Sequence, residues 1–197
     1  MPVTPELPWV LASSSRYRRE LLSRLQHPFQ VCVSHADETP QADETAPMLV
    51  RRLAELKARS VARLYPRALI IGSDQVATLD GAIIGKPGTA ERATAQLQQA
   101  SGRLVQFYTG LTLLNSATGQ CETVVEPFGV HFRTLSAAQI QRYLEQEQPY
   151  DCAGSFRSEG LGVALFARLE GNDPSALMGL PLIQLVSLLA RFGQPVL

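Results

Sequence analysis

Apolar positions along this chain recur at two spacings, and the changes of spacing mark out its elements. Trp9 to Ala12 is a short apolar run that gives way to small polar residues, and from Tyr17 the positions Tyr17, Leu21, Leu22 and Leu25 follow helical spacing. A strand, a loop and a helix are predicted in that order. Phe29 to Val33 alternates as a second strand does, and His35 to Pro47, with four acids and two prolines, reads as an exposed loop. A long helix is predicted next: Pro47 suits its first turn, Leu49, Val50, Leu53, Leu56, Ser60, Val61 and Leu64 form one face, and Pro66 stops it. Ala68 to Gly72 is continuous and apolar, as a central strand is, and the chain stays extended to Asp80-Gly81, a two-residue hairpin signal.

The second half repeats the alternation. Thr89 to Ala100 is a polar helix closed by Gly102, and Leu104 to Leu114 with Glu122 to Phe132 predicts a long hairpin around NSATGQ. Ser136 to Gln139 is a capping box that opens a helix running to about Gln148. CAGSFRSEGLG reads as a glycine-punctuated loop, VALFARLEG as a strand, and Pro181 to Phe192 as a closing amphipathic helix. Two hairpins break any strict strand-helix-strand winding. The expected fold is therefore α/β in the mixed α+β sense, a twisted mixed β-sheet flanked by helices, in a single domain over residues 1–197.

Composition narrows the function classes. Of 197 residues 45% are apolar, enough for a sizeable core, and 18 basic residues balance 18 acidic ones. With no net field to draw in nucleic acid or an anionic membrane, any anion site has to be built locally. The opening MPVTPELPW lacks the pattern of a signal peptide and no apolar run has membrane-spanning length, so a cytoplasmic protein is expected. Cys32, Cys121 and Cys152 are widely spaced, and His27, His35 and His131 lack metal-ligand spacing; neither set suggests a zinc site.

The loop between the first strand and helix is where chemistry first shows. Backbone N–H groups at a helix start favour an anion, Ser13 and Ser15 add hydroxyls, and Arg18 and Arg19 carry forked donors suited to phosphate. The same segment also reads as a Ser15 cap followed by solvated arginines. Asp74 follows a buried strand, where ligands of open sheets gather. An ordinary aspartate is a poor base at neutral pH, so holding a divalent metal and orienting water suits it better than unaided proton removal. Lys57 and Lys86 are the only lysines among eighteen cationic residues, which singles them out in a chain that fills its surface with arginine. Glu38 lies in the acidic loop, with a solvated surface as the plain alternative.

LASSSRYRRELL, ADETP, RLAELKA, GSDQV, GKP, SG, FYTGLTLLNS, FRTLS, CAGSFRSEG and LMGLPL follow one another in an order and spacing that resembles the Maf family of nucleoside triphosphate pyrophosphatases. The match spans nearly the whole chain and is nearest the subfamily that hydrolyses 7-methyl-GTP. What the resemblance implies is an ITPase-like mixed fold of two lobes with a central cleft, a divalent cation (Mg, Mn or Co), a nucleoside triphosphate as partner rather than nucleic acid or membrane, and a homodimer. It implies that Ser13, Ser15 and Arg18 grip the phosphates, that Lys57 and Lys86 neutralise them, and that Glu38 and Asp74 serve the metal and the attacking water.

Three positions at which the family varies with substrate are Tyr17, Gln75 and Glu159 in this chain. Methylation at N7 makes guanine cationic, which suits the aromatic face of Tyr17 and the carboxylate of Glu159; Gln75 can donate or accept. The alternatives are a pyrimidine triphosphate pyrophosphatase of the same family and a nucleotide-binding regulator without turnover. Two departures stand out: Arg16 replaces the family's usual proline, and Tyr17 the tryptophan common in the nearest subfamily.

Overall fold

The computed structural model describes residues 7–197; residues 1–6, part of the opening segment read above for targeting signals, lie outside the described residues. Strands are β1 Trp9–Leu11, β2 Phe29–Val31, β3 Leu69–Leu79, β4 Ala82–Ile84, β5 Leu104–Asn115, β6 Cys121–Phe132 and β7 Phe166–Gly171. Helices are α1 Arg16–Ser23, α2 Ala46–Ala62, α3 Ala90–Ala100, α4 Ala137–Glu147 and α5 Leu182–Arg191. Among the described residues the strands form one seven-stranded sheet in the order β2-β1-β3-β5-β6-β7, with β4 paired to β3 off that path. β1 runs parallel to β2 and β3, whereas β3 with β4 and β6 with β7 are antiparallel, which is the mixed sheet expected. Among the described residues no helix is long and apolar enough to cross a membrane.

The chain divides into two compact units. Among the described residues the first holds 7–75, 109–126 and 173–197; the second holds 76–108 and 127–172.

In the first unit successive residues of a strand face opposite ways, and both faces are apolar, as in a strand covered on both sides. Trp9, Leu11, Leu69 and Ile71 join Leu21 and Leu22 of α1 and Leu185, Leu188 and Leu189 of α5 in one cluster. Val10, Ala12, Ala68 and Ile70 face the other way, onto Ala58 and Val61 of α2. Helix α2 lies unusually close to the sheet. A Cβ on Gly72 would stand 2.2 Å from the Ala54 carbonyl oxygen, and one on Gly110 would stand 2.1 Å from that of Val50. Two glycines thus let helix backbone touch strand backbone, and they fix how far a side chain on α2 has to reach.

The second unit is built on aromatic edges. Phe156 packs edge-on against Phe107, Phe132 and Phe166 with centroids 4.9–5.5 Å apart, the T-shaped geometry ring quadrupoles favour. Asp80-Gly81 turns β3 into β4 with positive φ at both residues, 49° and 82°, as the hairpin signal requires. The Ser136 capping box on α4 is present, with both reciprocal hydrogen bonds.

Two local expectations need correction, and one element is new. VALFARLEG is not one strand: Leu161–Leu165 is a 3-10 turn and pairing starts at Phe166. Gly162 causes the difference, donating 3.1 Å to the Arg157 carbonyl so tightly that a Cβ there would meet the same oxygen at 2.2 Å. The second strand stops at Val31 rather than Val33. A 3-10 turn at Pro174–Met178 has no counterpart in the sequence reading; the Asp173 carboxylate caps it by accepting from the Ser175 N–H at 3.0 Å, and accepts from the Ile183 N–H at 2.7 Å.

Candidate active site

Ser15 caps α1: its hydroxyl accepts from the Arg18 N–H at 3.4 Å. Ser13 is buried one step earlier, accepting from the Ser15 N–H at 3.2 Å and from Arg18 Nη1 at 3.3 Å. Arg18 points inward from the first turn of the helix, and its Nε donates to the Gly179 carbonyl at 2.8 Å. Burial lowers the Arg18 pKa from its ordinary value, while the carboxylates of Asp74 and Glu38 act to raise it. Ser15 is thus the cap of α1, and Arg18 is a half-buried cation within reach of the charges of Asp74 and Glu38.

Strand β3 carries the opposing charge. In Gly72-Ser73-Asp74 each residue has a separate task. Gly72 admits α2; the Ser73 hydroxyl lies 2.8 Å from both the Gly110 and Gly179 carbonyl oxygens; Asp74 meets α2. From α2, Lys57 places its ammonium 2.7 Å from Asp74 Oδ1 and 3.0 Å from Glu38 Oε1. The Lys57 and Asp74 side chains are only 8% and 10% exposed, against 56% for Glu38, so this is a buried pair with a carboxylate at its solvent edge. The Gly179 carbonyl, accepting from both Arg18 and Ser73, ties the arginine to the strand that bears Asp74.

Arg18, Glu38, Lys57, Asp74 and Ser13 are thus brought together within the first unit. Gln75 belongs to the same unit, but its role differs from the reading of an amide free to donate. Its Nε2 donates to the carbonyls of Ala176 at 2.7 Å and Leu177 at 3.1 Å and lies 3.1 Å from the Thr109 hydroxyl, which commits both amide hydrogens to the protein. Tyr17 is half-buried on α1. The Arg16 guanidinium carbon lies 4.7 Å from its ring centroid, and Arg16 Nη2 donates to the phenol oxygen at 2.6 Å, so the residue that replaces proline folds onto the aromatic face.

Lys86 and Glu159 belong to the second unit. Lys86 is exposed on the coil after β4, a coil anchored by the Gly88 N–H donating to the Tyr150 carbonyl at 3.0 Å. Glu159 lies on the loop after α4, where Arg157 is the organiser. It donates to Glu147 at 2.8 Å, and its Nε is 4.0 Å from the Glu159 carboxylate.

Partners that the sequence reading missed are Ser73, the Gly179 carbonyl, Thr109 and the pair Arg52–Glu44. Gly179 lies in LMGLPL and Arg52 in RLAELKA, yet neither spacing nor residue type specifies their contacts.

The donor set suits one kind of metal. Glu38 and Asp74 offer hard carboxylate oxygens converging on one point, now spanned by the Lys57 ammonium. Among the described residues no group of three His, Cys, Asp or Glu forms a self-contained metal cage. Carboxylate oxygens are the donors a magnesium-type cation takes, ordinarily from one or two carboxylates with its remaining ligands from water and substrate phosphates.

Comparison with known proteins adds the following. A family profile described as Maf-like protein matches residues 8–192. The chain is 59% identical over 196 residues to a protein named 7-methyl-GTP pyrophosphatase from Nitrosococcus oceani, covering 100% of this chain and 98% of that protein. It is 58% identical over 187 residues to a protein of the same name from Pseudomonas fluorescens, covering 95% and 97%. Among solved structures, the Ham1 protein of Staphylococcus aureus aligns over 64% of this chain and 72% of its own at 15% identity, with a TM-score of 0.47.

Proposed function

This chain belongs to the Maf family, and on that premise we propose that it hydrolyses 7-methyl-GTP to 7-methyl-GMP and pyrophosphate. The substrate rests on the names of the two relatives, which match it over almost their entire length. The reaction rests on one observation: a buried lysine held between two carboxylates, with a half-buried arginine in the same unit. Such a set of opposed charges, fixed before substrate arrives, is what phosphoryl transfer asks of a protein, since positioning and charge stabilisation carry most of the catalysis.

In this reading Ser13, Ser15 and Arg18 hold the phosphate chain, with Arg18 already oriented by the Gly179 carbonyl. Lys57 offsets the negative charge that grows as pyrophosphate departs. Water attacks the α-phosphorus, the bond from that phosphorus to the bridging oxygen breaks, and the Asp74 carboxylate takes the proton that the water loses. Glu38 and Asp74 would hold the divalent cation, which supplies Lewis-acid polarisation of phosphate oxygens when bound. Tyr17 and Gln75 of the first unit are assigned to the base: the Tyr17 ring favours a cationic purine, and Gln75, its amide N–H groups held by carbonyls, can accept from it.

A panel of 7-methyl-GTP, GTP, UTP and dTTP with magnesium or manganese tests this. Release of pyrophosphate fastest from 7-methyl-GTP is expected. Preferential cleavage of UTP or dTTP would overturn the base assignment, and binding without pyrophosphate release would overturn the reaction.

A further inference from the structure

Glu38 is carried by a stretch with no regular structure. Residues 32–45 lie between β2 and α2, and Glu38 is the more exposed of the two carboxylates meeting at Lys57. An irregular, polar stretch of that length has few apolar contacts of its own, so its placement has to come from specific polar ties. The structure supplies them at both ends, and both lead to α2.

At the near end, the Ser34 hydroxyl accepts from the Ala36 N–H at 3.2 Å and lies 2.9 Å from the Ser60 hydroxyl, which in turn donates to the Lys57 carbonyl at 2.8 Å. At the far end stands Arg52. Its Nε and Nη2 meet the two oxygens of Glu44 at 2.6 and 2.7 Å in a forked pair, and Nη2 also donates to the Thr39 carbonyl at 3.1 Å. Thr39 is the residue directly after Glu38. The Glu44 side chain is only 6% exposed, so this pair is largely sheltered from water, and Glu44 also accepts from the Gln41 N–H at 3.1 Å. One guanidinium therefore grips the stretch on both sides of the tip formed by residues 40–43.

We propose that Arg52 is a positioning residue that clamps residues 39–44 to α2 and so fixes Glu38 at Lys57. The inference rests on the reading of Glu38 as a working carboxylate of the site. The forked geometry is what an arginine does and a lysine cannot, which makes the identity of the residue, and not its charge alone, the device. Arg52 and Lys57 lie on the same helix, so the clamp and the ammonium that Glu38 meets share one rigid frame.

Two measurements on the full chain test it. In the first, turnover of 7-methyl-GTP is compared for Arg52→Gln, Arg52→Lys, Glu38→Gln and the double variant Arg52→Gln/Glu38→Gln. Losing the partner that orients a working group typically costs about 10- to 100-fold in activity. Arg52→Gln is expected to fall in kcat by that order with KM nearly unchanged, and Arg52→Lys to recover part of the loss. The double variant is expected to be no slower than Glu38→Gln alone, because the two act through one group. In the second, the endopeptidase Glu-C, which cuts after glutamate, is used without nucleotide. Cleavage after Glu38 is expected to accelerate severalfold in Arg52→Gln.

Losses that multiply in the double variant, or unchanged cleavage after Glu38, would overturn the clamp. Should Arg52→Gln fail to fold, Glu44→Gln removes the charge that Arg52 holds and gives the same two readings. Full turnover in Glu38→Gln would instead overturn the role given to Glu38, and the protease result still decides whether Arg52 holds the segment.

Discussion

Lys57 Nζ and Asp74 Oδ1 lie 2.7 Å apart, joining a helix to the strand it packs on, with both side chains nearly closed to solvent. Such a pair is weak evidence for added stability, because desolvating two charges offsets much of their attraction. Breaking it is another matter. Lys57→Met leaves the Asp74 carboxylate buried without its nearest partner, at a cost of about 3–5 kcal/mol. Urea unfolding is expected to show that loss, and the double variant Lys57→Met/Asp74→Asn to recover most of it. A single variant as stable as the parent would contradict the account.

The pair depends on how close α2 comes to β3. Gly72→Ala would place a Cβ 2.2 Å from the Ala54 carbonyl oxygen and 2.9 Å from the Ala58 nitrogen, both backbone atoms of α2. The helix has to retreat, and overpacking of this kind costs about 1–3 kcal/mol or more. Gly85→Ala is the control, since a Cβ there meets nothing within 4 Å. Thermal unfolding should separate the two variants clearly; equal melting temperatures would show that α2 is not held at contact distance.

Arg16 lies over the ring of Tyr17, the ring proposed above to stack on a cationic base. Two cations compete for one ring, so removing the guanidinium in Arg16→Ala is expected to favour the methylated substrate. An exposed cation–π contact is worth about 0.5–1 kcal/mol, or about two- to fivefold in the ratio of kcat/KM for 7-methyl-GTP over GTP. A fall in that ratio would mean that Arg16 assists the base instead of competing with it.

Acid acts on the Arg52 clamp with a definite sign. The hydrogen bond from Arg52 holds the Glu44 carboxyl below its ordinary value of 4.5, helped by the Gln41 N–H and by the guanidinium charge and opposed by burial. A carboxyl whose folded pKa is depressed contributes stability that is fully present above its unfolded value and is lost as pH falls through the folded one. The stability difference between the parent and Glu44→Gln, measured by urea unfolding, is therefore expected to stay level from pH 8 to about 5 and to shrink in stronger acid. A difference that shrinks on going up to pH 8 would contradict this.

Much of this architecture was legible because local patterns and tertiary packing agree. The apolar run before Ser13, the Asp80-Gly81 turn and the Ser136 capping box each state their structure locally, and each is found. Motif order also singles out Arg18, Glu38, Lys57 and Asp74, which the fold brings together in the first unit. What stayed hidden depends on contacts remote in sequence. Arg18 is oriented by a carbonyl 161 positions away, and Gln75 is committed to carbonyls about 100 positions away. The apolar pattern of VALFARLEG is common to strand and turn alike; only the close approach of Gly162 to Arg157 decides it. Arg52 looked like one more surface arginine because its partner, Glu44, looked like one more acid in a polar loop.

The central claim is that water attacks the α-phosphorus of 7-methyl-GTP at the Asp74 site. Turnover in heavy-oxygen water tests it most directly, with both products analysed by mass spectrometry. The label is expected in the 7-methyl-GMP phosphate and not in pyrophosphate, and Asp74→Asn is expected to lose turnover while still binding nucleotide. Label in pyrophosphate, or undiminished turnover by Asp74→Asn, would contradict the account.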